Sequence, residues 1–163
     1  MDKEKRYVHM YCGTGWGKSS AAIGRGIKAA CAGKTVFVVQ FLKGKAGSEL
    51  DFIKRLEPEI KLFTFDKFEE QFAELSEEEK REEMMNIRNG LNYAKKVLNT
   101  GECDMLILDE VLGLIGNGII TVEDLKNVLS ARDGETDIIM TGVLINDEVC
   151  ALADYVTEIR TVK

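Results

Sequence analysis

The run Gly13-Thr14-Gly15-Trp16-Gly17-Lys18-Ser19-Ser20 brings glycines, one lysine and two serine hydroxyls together in a single short stretch. Glycines at this density let successive main-chain N–H groups turn toward one anion, and a helix beginning there adds the partial positive charge of its N-terminus. Lys18 supplies a full positive charge, and the Ser19 hydroxyl is a hard oxygen ligand of the kind Mg²⁺ takes. A second chemically capable group, Asp109-Glu110, follows the apolar run Leu106-Ile107-Leu108 and sets two adjacent carboxylates at one point of the chain. Carboxylates at the end of a buried strand can hold Mg²⁺ directly or through water. Together these groups describe a grip for the triphosphate of a nucleotide, with Gly13 to Ser20 on the phosphates and Ser19, Asp109 and Glu110 on the metal. The usual phosphate-loop spacing puts a glycine where Cys12 stands, so the loop is the variant G-x-G-x-G-K-S.

The flanking residues supply the elements that must hold such a grip. Tyr7 to Cys12 reads as a strand running into the loop, and the loop opens into a helix that lasts to about Ala32, with Gly33 as its stop. Thr35 to Phe41 is a nearly continuous apolar run, as expected of a parallel strand covered on both faces. After Gly44, Gly47 and Ser48 a short helical stretch is expected up to Leu56, followed by a strand over Ile60–Phe65. Ser76-Glu77-Glu78-Glu79 has the capping-box spacing and predicts a long helix to about Leu98, with its Glu, Lys and Arg residues on a solvated face. Strands over Asp104–Asp109, Asp137–Thr141 and Tyr155–Ile159, and helices from Thr121 and over Asp147–Ala153, complete the pattern. The fold class is α/β: one three-layer domain over residues 1–163, a mostly parallel six-stranded sheet flanked by helices, with ligands at the carboxyl ends of the strands.

Composition narrows the partners. A net charge of −6 and a pI near 5.0 argue against nucleic acid, whose phosphates attract clustered Lys and Arg. No apolar run approaches the length of a membrane span, so neither secretion nor a membrane partner is expected. Cys12, Cys31, Cys103 and Cys150 are too scattered for a zinc site and are expected as reduced, mostly buried thiols, which points to the cytoplasm. His9, alternating within the first strand, is expected to be a packed or edge histidine.

The phosphate loop, Val39-Gln40-Phe41-Leu42-Lys43-Gly44, Leu108-Asp109-Glu110-Val111, Thr141-Gly142 and Ala153-Asp154-Tyr155-Val156-Thr157-Glu158 occur in an order that resembles the ATP:corrinoid adenosyltransferases. The resemblance covers essentially the whole chain. It implies attack of a reduced Co(I) corrinoid on the 5′-carbon of ATP, with triphosphate released and ATP held in reversed orientation. A Co(I) nucleophile carries no proton, so no catalytic base is needed. The departing triphosphate calls for preorganised positive charge instead, from Lys18, the loop amides and Mg²⁺. On this resemblance Lys18 and Glu110 are catalytic, and Ser19 and Glu110 serve the metal. Lys28 replaces the family's arginine on the first helix as a nucleotide contact, and Phe65 and Phe68 lie in the region that holds the corrinoid. A flavoprotein reductant and a homodimer are implied as partners. Trp16 stands where the family has lysine, Ser19 and Ser20 where it has threonines, and Val143 where it has arginine. Three roles are open for Trp16: stacking on the nucleobase, stacking on the corrin ring, or covering the loop. A P-loop ATPase or nucleotide-binding regulator, with Glu110 positioning water at the γ-phosphate, is the alternative activity.

Overall fold

Short β-branched and leucine-rich runs separated by amphipathic segments form β1 (Val8–Cys12), β2 (Val36–Gln40), β3 (Ile60–Thr64), β4 (Met105–Asp109), β5 (Asp137–Thr141) and β6 (Tyr155–Glu158). The helices between them are α1 (Lys18–Cys31), α2 (Glu77–Thr100), α3 (Val111–Gly116), α4 (Val122–Ser130) and α5 (Asp147–Cys150). The computed structural model describes residues 6–42, 52–132 and 134–163. Gly44, Gly47 and Ser48 lie outside the described residues, so of the helical stretch expected there only its end is seen, as a 3₁₀ turn over Phe52–Leu56.

The strands form one sheet in the order β3-β2-β4-β5-β1-β6, and every pairing is parallel. A parallel sheet with helical crossovers is covered on both faces, which is why the middles of its central strands are continuous apolar runs rather than alternating. β4 shows the division. Met105 and Ile107 face α1 and pack in the cluster of Ala22, Ala29, Val36, Val38 and Ile139. Leu106 and Leu108 face the other way, into the larger cluster with Ile87, Leu91, Ala94, Leu125 and Val128 of α2 and α4.

Helix ends follow their local chemistry. At the start of α2 the Ser76 hydroxyl accepts from the Glu79 amide at 3.2 Å while the Glu79 carboxylate accepts from the Ser76 amide at 2.8 Å. Gly101 ends the helix in the left-handed conformation, with φ 65°. Thr121 and Asp124 repeat the capping box at the start of α4. α3 has no helical signature in the sequence, because two glycines in Val-Leu-Gly-Leu-Ile-Gly mask its period. Burial of Val111, Leu112 and Leu114 supplies the stability that propensity lacks.

Of the four cysteines, all free, Cys12 and Cys103 are buried, Cys150 is intermediate, and Cys31 is exposed on the last turn of α1. The expectation of mostly buried thiols therefore fails for Cys31. Among the described residues no helix is long and apolar enough to cross a membrane.

Candidate functional site

The carboxyl ends of β1, β4 and β5 meet at one edge of the sheet. β1 delivers the loop 13–17, which turns into α1 through Gly17 at φ 105°. β4 delivers Asp109, buried, and then Glu110, which sits in the left-handed region at φ 60°. A non-glycine residue there is uncommon and is held by its surroundings. β5 lies between β1 and β4, so the loop and the acids do not sit on neighbouring strands.

Thr141, at the end of that intervening strand, joins the two. Its hydroxyl donates to Asp109 Oδ1 at 2.8 Å and accepts from the Glu110 amide at 2.8 Å. Ser19 Oγ donates to the same Asp109 oxygen at 2.7 Å. Loop, acid and intervening strand thus share one hydrogen-bonded network. In the sequence Thr141 is a strand end and part of a resemblance; its bridging role depends on strand order, which no local pattern reveals. Glu110 has its pKa raised by burial first and by the neighbouring Asp109 second, with Lys18 acting in the opposite direction.

The loop is held from a second side. Ile159, just beyond β6, donates its amide to Cys12 O at 2.8 Å, and its carbonyl accepts from the Gly15 amide at 2.9 Å. The Trp16 amide donates to Thr161 Oγ1 at 3.1 Å. A Cβ on Gly13 would lie 2.6 Å from Ile159 O, and one on Gly15 would lie 2.6 Å from the same atom and 2.7 Å from Thr161 N. Glycine is thus required at Gly13 and Gly15 by the close approach of the 159–161 segment. The amides of Gly15 and Trp16 are engaged by that segment, whereas the Gly17–Ser20 end of the loop forms the N-terminus of α1. Lys18 Nζ donates to Gly15 O at 2.8 Å. Thr14 and Ser20 are exposed, and the Trp16 side chain is 88% exposed.

Lys28 is not brought to this site. It lies in the last turn of α1, about 15 Å of helix rise from Lys18. There it lines a cleft with Arg6, Arg25 and Lys34 at the opposite end of the sheet. The two phenylalanines also separate. Phe65 packs against the core beside Tyr93, with ring centroids 5.6 Å apart. Phe68 lines a cavity of about 290 Å³ together with Leu42, Asp66, Phe72, Glu83 and Asn117. One of its lining residues, Leu42, comes near Glu110: a Cβ on Gly113 would lie 2.9 Å from Glu110 Oε2 and 3.1 Å from Leu42 Cδ1. His9 is packed as expected, its Nε2 2.8 Å from Thr157 Oγ1, its Nδ1 3.1 Å from Arg25, and its ring stacked on Tyr11 at 4.4 Å.

A strand–loop–helix with Lys18 and Ser19, tied to a carboxylate at the end of a non-adjacent parallel strand, defines a P-loop nucleotide-binding fold. The KaiC-like protein PH0186 from Pyrococcus horikoshii OT3 shares that fold, with a TM-score of 0.61 at 17% identity over 94% of this chain and 71% of that one.

Sequence comparison narrows the class. The profile of the family described as ATP:corrinoid adenosyltransferase BtuR/CobO/CobP matches residues 4–163, and the chain belongs to that family. The corrinoid adenosyltransferase of Escherichia coli (strain K12) is 28% identical over 98% of this chain and 79% of its own length. The corrinoid adenosyltransferase CobA of Salmonella typhimurium (strain LT2) is 29% identical over 99% of this chain and 80% of its own. The protein is accordingly an enzyme of ATP-dependent corrinoid adenosylation, and the ATPase or regulator alternative is not favoured.

Proposed function

We propose that ATP binds with its triphosphate against the Gly17–Ser20 end of the loop and that the corrinoid enters beside Phe68, so that cobalt meets the 5′-carbon between them. The observation that carries this reading is the Ser19–Asp109–Thr141 network, which unites loop and acids in one site, with Leu42 of the Phe68 cavity near Glu110. In the reaction the Co(I) electron pair forms the cobalt–carbon bond while the C5′–O bond breaks. Its electrons leave with the triphosphate, and no proton moves. The chain's part is positioning and charge: the α1 N-terminus, the Lys18 ammonium and the remaining loop amides stabilise the departing polyanion. Lys18 has only to release Gly15 O to reach it.

The donor set fits Mg²⁺. One hydroxyl (Ser19) and two carboxylates (Asp109 and Glu110) are hard oxygen ligands. No cluster of three or more His, Cys, Asp or Glu residues suited to a metal occurs among the described residues. Mg²⁺ is bound in this way by one or two carboxylates, with phosphate and water completing the octahedron. When bound it would neutralise triphosphate charge. Asp109, already accepting from Ser19, would orient the hydroxyl, and Glu110 would supply the second carboxylate.

Phe68 is the corrinoid-facing residue of the two phenylalanines, and Phe65 supports it from the core. Trp16, exposed at the tip of the loop, is free to lie over either substrate. A flavoprotein is the proposed electron donor for the Co(I) state, and a second copy of the chain the proposed oligomeric partner. Four free cysteines suit a cytoplasmic enzyme. The test is incubation with Mg-ATP, with and without chemically reduced cobalamin. Adenosylcobalamin and triphosphate in equal amounts support the reading; orthophosphate released at the same rate without corrinoid overturns it.

A further inference from the structure

Glu83 is a carboxylate on the second turn of α2 and is only 4% exposed. It belongs to a helix whose charged residues otherwise face solvent. Burying a carboxylate costs several kcal/mol unless hydrogen-bond donors replace its water. Here the replacement comes from two main-chain N–H groups and one side-chain amide. Oε1 accepts from the Lys67 amide at 3.1 Å and from Asn86 Nδ2 at 3.2 Å, and Oε2 accepts from the Phe68 amide at 2.9 Å. Lys67 itself turns its ammonium away to Glu82, at 2.6 Å.

Both oxygens are therefore committed to two consecutive residues of the segment that leaves β3. Two turns further along α2, Gly90 makes room for Phe65 of the same segment and for Phe41 beyond β2: a Cβ there would lie 3.2 Å from Phe65 Cδ2 and 2.9 Å from Phe41 Cε1. The segment is thus pinned twice, by Phe65 over Gly90 and by its backbone on Glu83, and Phe68 projects from the second pin into the cavity that Glu83 also lines. An apolar residue at position 83 would satisfy packing but leave two amides unpaired and the direction of Phe68 unset.

We infer that Glu83 is a positioning residue of the corrinoid pocket: its carboxylate fixes the backbone at Lys67 and Phe68 and thereby sets the wall against which the corrin ring packs. The inference rests on the proposal that the Phe68 cavity receives the corrinoid. The hydrogen bonds of Glu83 all go to the 67–68 segment and to Asn86 of its own helix, none to the phosphate loop or the acids, so its effect falls on one substrate only. Misplacing a binding wall by an ångström can cost up to about a hundredfold.

The experiment measures steady-state kinetics with chemically reduced cobalamin and Mg-ATP for Glu83→Gln, Glu83→Ala and Phe68→Ala in the full chain. Glu83→Gln keeps the shape and one acceptor oxygen but turns an NH₂ toward an amide donor. The expected result is a KM for cobalamin raised about tenfold or more in all three variants, with KM for ATP within about twofold of the parent. Glu83→Gln is expected to be milder than Glu83→Ala. Hydrogen exchange at the Lys67 and Phe68 amides should quicken in the two Glu83 variants. If Phe68→Ala raises KM for cobalamin while both Glu83 variants leave it unchanged, the positioning role is overturned and the pocket stands. If Phe68→Ala also leaves it unchanged, the pocket assignment fails and takes the inference with it. Equal losses in KM for ATP and for cobalamin would overturn the role in favour of a general folding defect.

Discussion

Replacing Thr141 with valine removes one oxygen and almost no volume, so it isolates the network that joins the phosphate loop to the acids. Thr141 is fully buried, and its hydroxyl both donates to Asp109 and accepts from the Glu110 amide. A hydrogen bond to a charged group contributes about 1.5–3 kcal/mol, and leaving a buried amide without an acceptor costs about 1–3 kcal/mol. Against these, the methyl that replaces the hydroxyl returns about 0.8 kcal/mol. The net expectation is a loss of about 3 kcal/mol, which at a urea slope near 2 kcal/mol/M moves the unfolding midpoint down by about 1.5 M. Thr141→Ser keeps the hydroxyl and loses only a methyl, at about 1 kcal/mol. Activity should divide the same way. Without its acceptor Glu110 has less to hold it in the left-handed region, and Asp109 keeps only the Ser19 donor. The valine variant should then lose about tenfold or more in turnover with Mg-ATP and reduced cobalamin, whereas the serine variant stays within about threefold. Equal urea midpoints and equal rates for the two variants would refute the network as the link between loop and acids.

Gly15→Ala should loosen the 159–161 segment, since its Cβ would sit 2.6 Å from Ile159 O and 2.7 Å from Thr161 N. A loss of about 1–3 kcal/mol is expected, along with faster carboxypeptidase trimming of the chain end; an unchanged trimming rate would remove the steric reason for this glycine. Ser19→Ala and Asp109→Asn should each raise the Mg²⁺ concentration needed for half-maximal turnover, and identical Mg²⁺ titrations would take these residues off the metal. His9 is the single histidine of the chain, and its pKa is lowered by burial and by Arg25. A depressed folded-state pKa means the unfolded chain binds the proton first, so stability should fall as pH drops below about 6.5 toward the folded value. His9→Gln should flatten that slope, and an NMR titration midpoint at or above the ordinary value would contradict it. Burial pushes the Cys103 thiol up to about 12, while Cys31 is exposed. Iodoacetamide at pH 8 should therefore label Cys31 and spare Cys103 until the protein unfolds, as read by peptide mass.

The chain by itself determined most of what depends on near neighbours, the short helix α3 with its two glycines excepted. Strand, glycine loop and helix N-terminus follow one another within residues 8–31, an order legible without any distant partner. Ser76 and Glu79 meet within one helical turn, and the apolar run 105–108 places Asp109 at a strand end whatever its partners. Tertiary structure decided what lies between and around these pieces. Only the order β3-β2-β4-β5-β1-β6 inserts Thr141 between Ser19 and Asp109. Only the return of the chain at Ile159 explains why Gly13 and Gly15 lack a side chain, and the same return engages two of the amides that the loop sequence offers to phosphate. Glu83 reads as one more charge on a polar helix until the segment after β3 folds over it, and Lys28, on the loop's own helix, ends up at the far edge of the sheet. The physical reason is range: propensity, capping and periodicity act over a few residues. The partners of a buried polar atom are set by which distant strands and segments the packed sheet brings within about 3 Å of it.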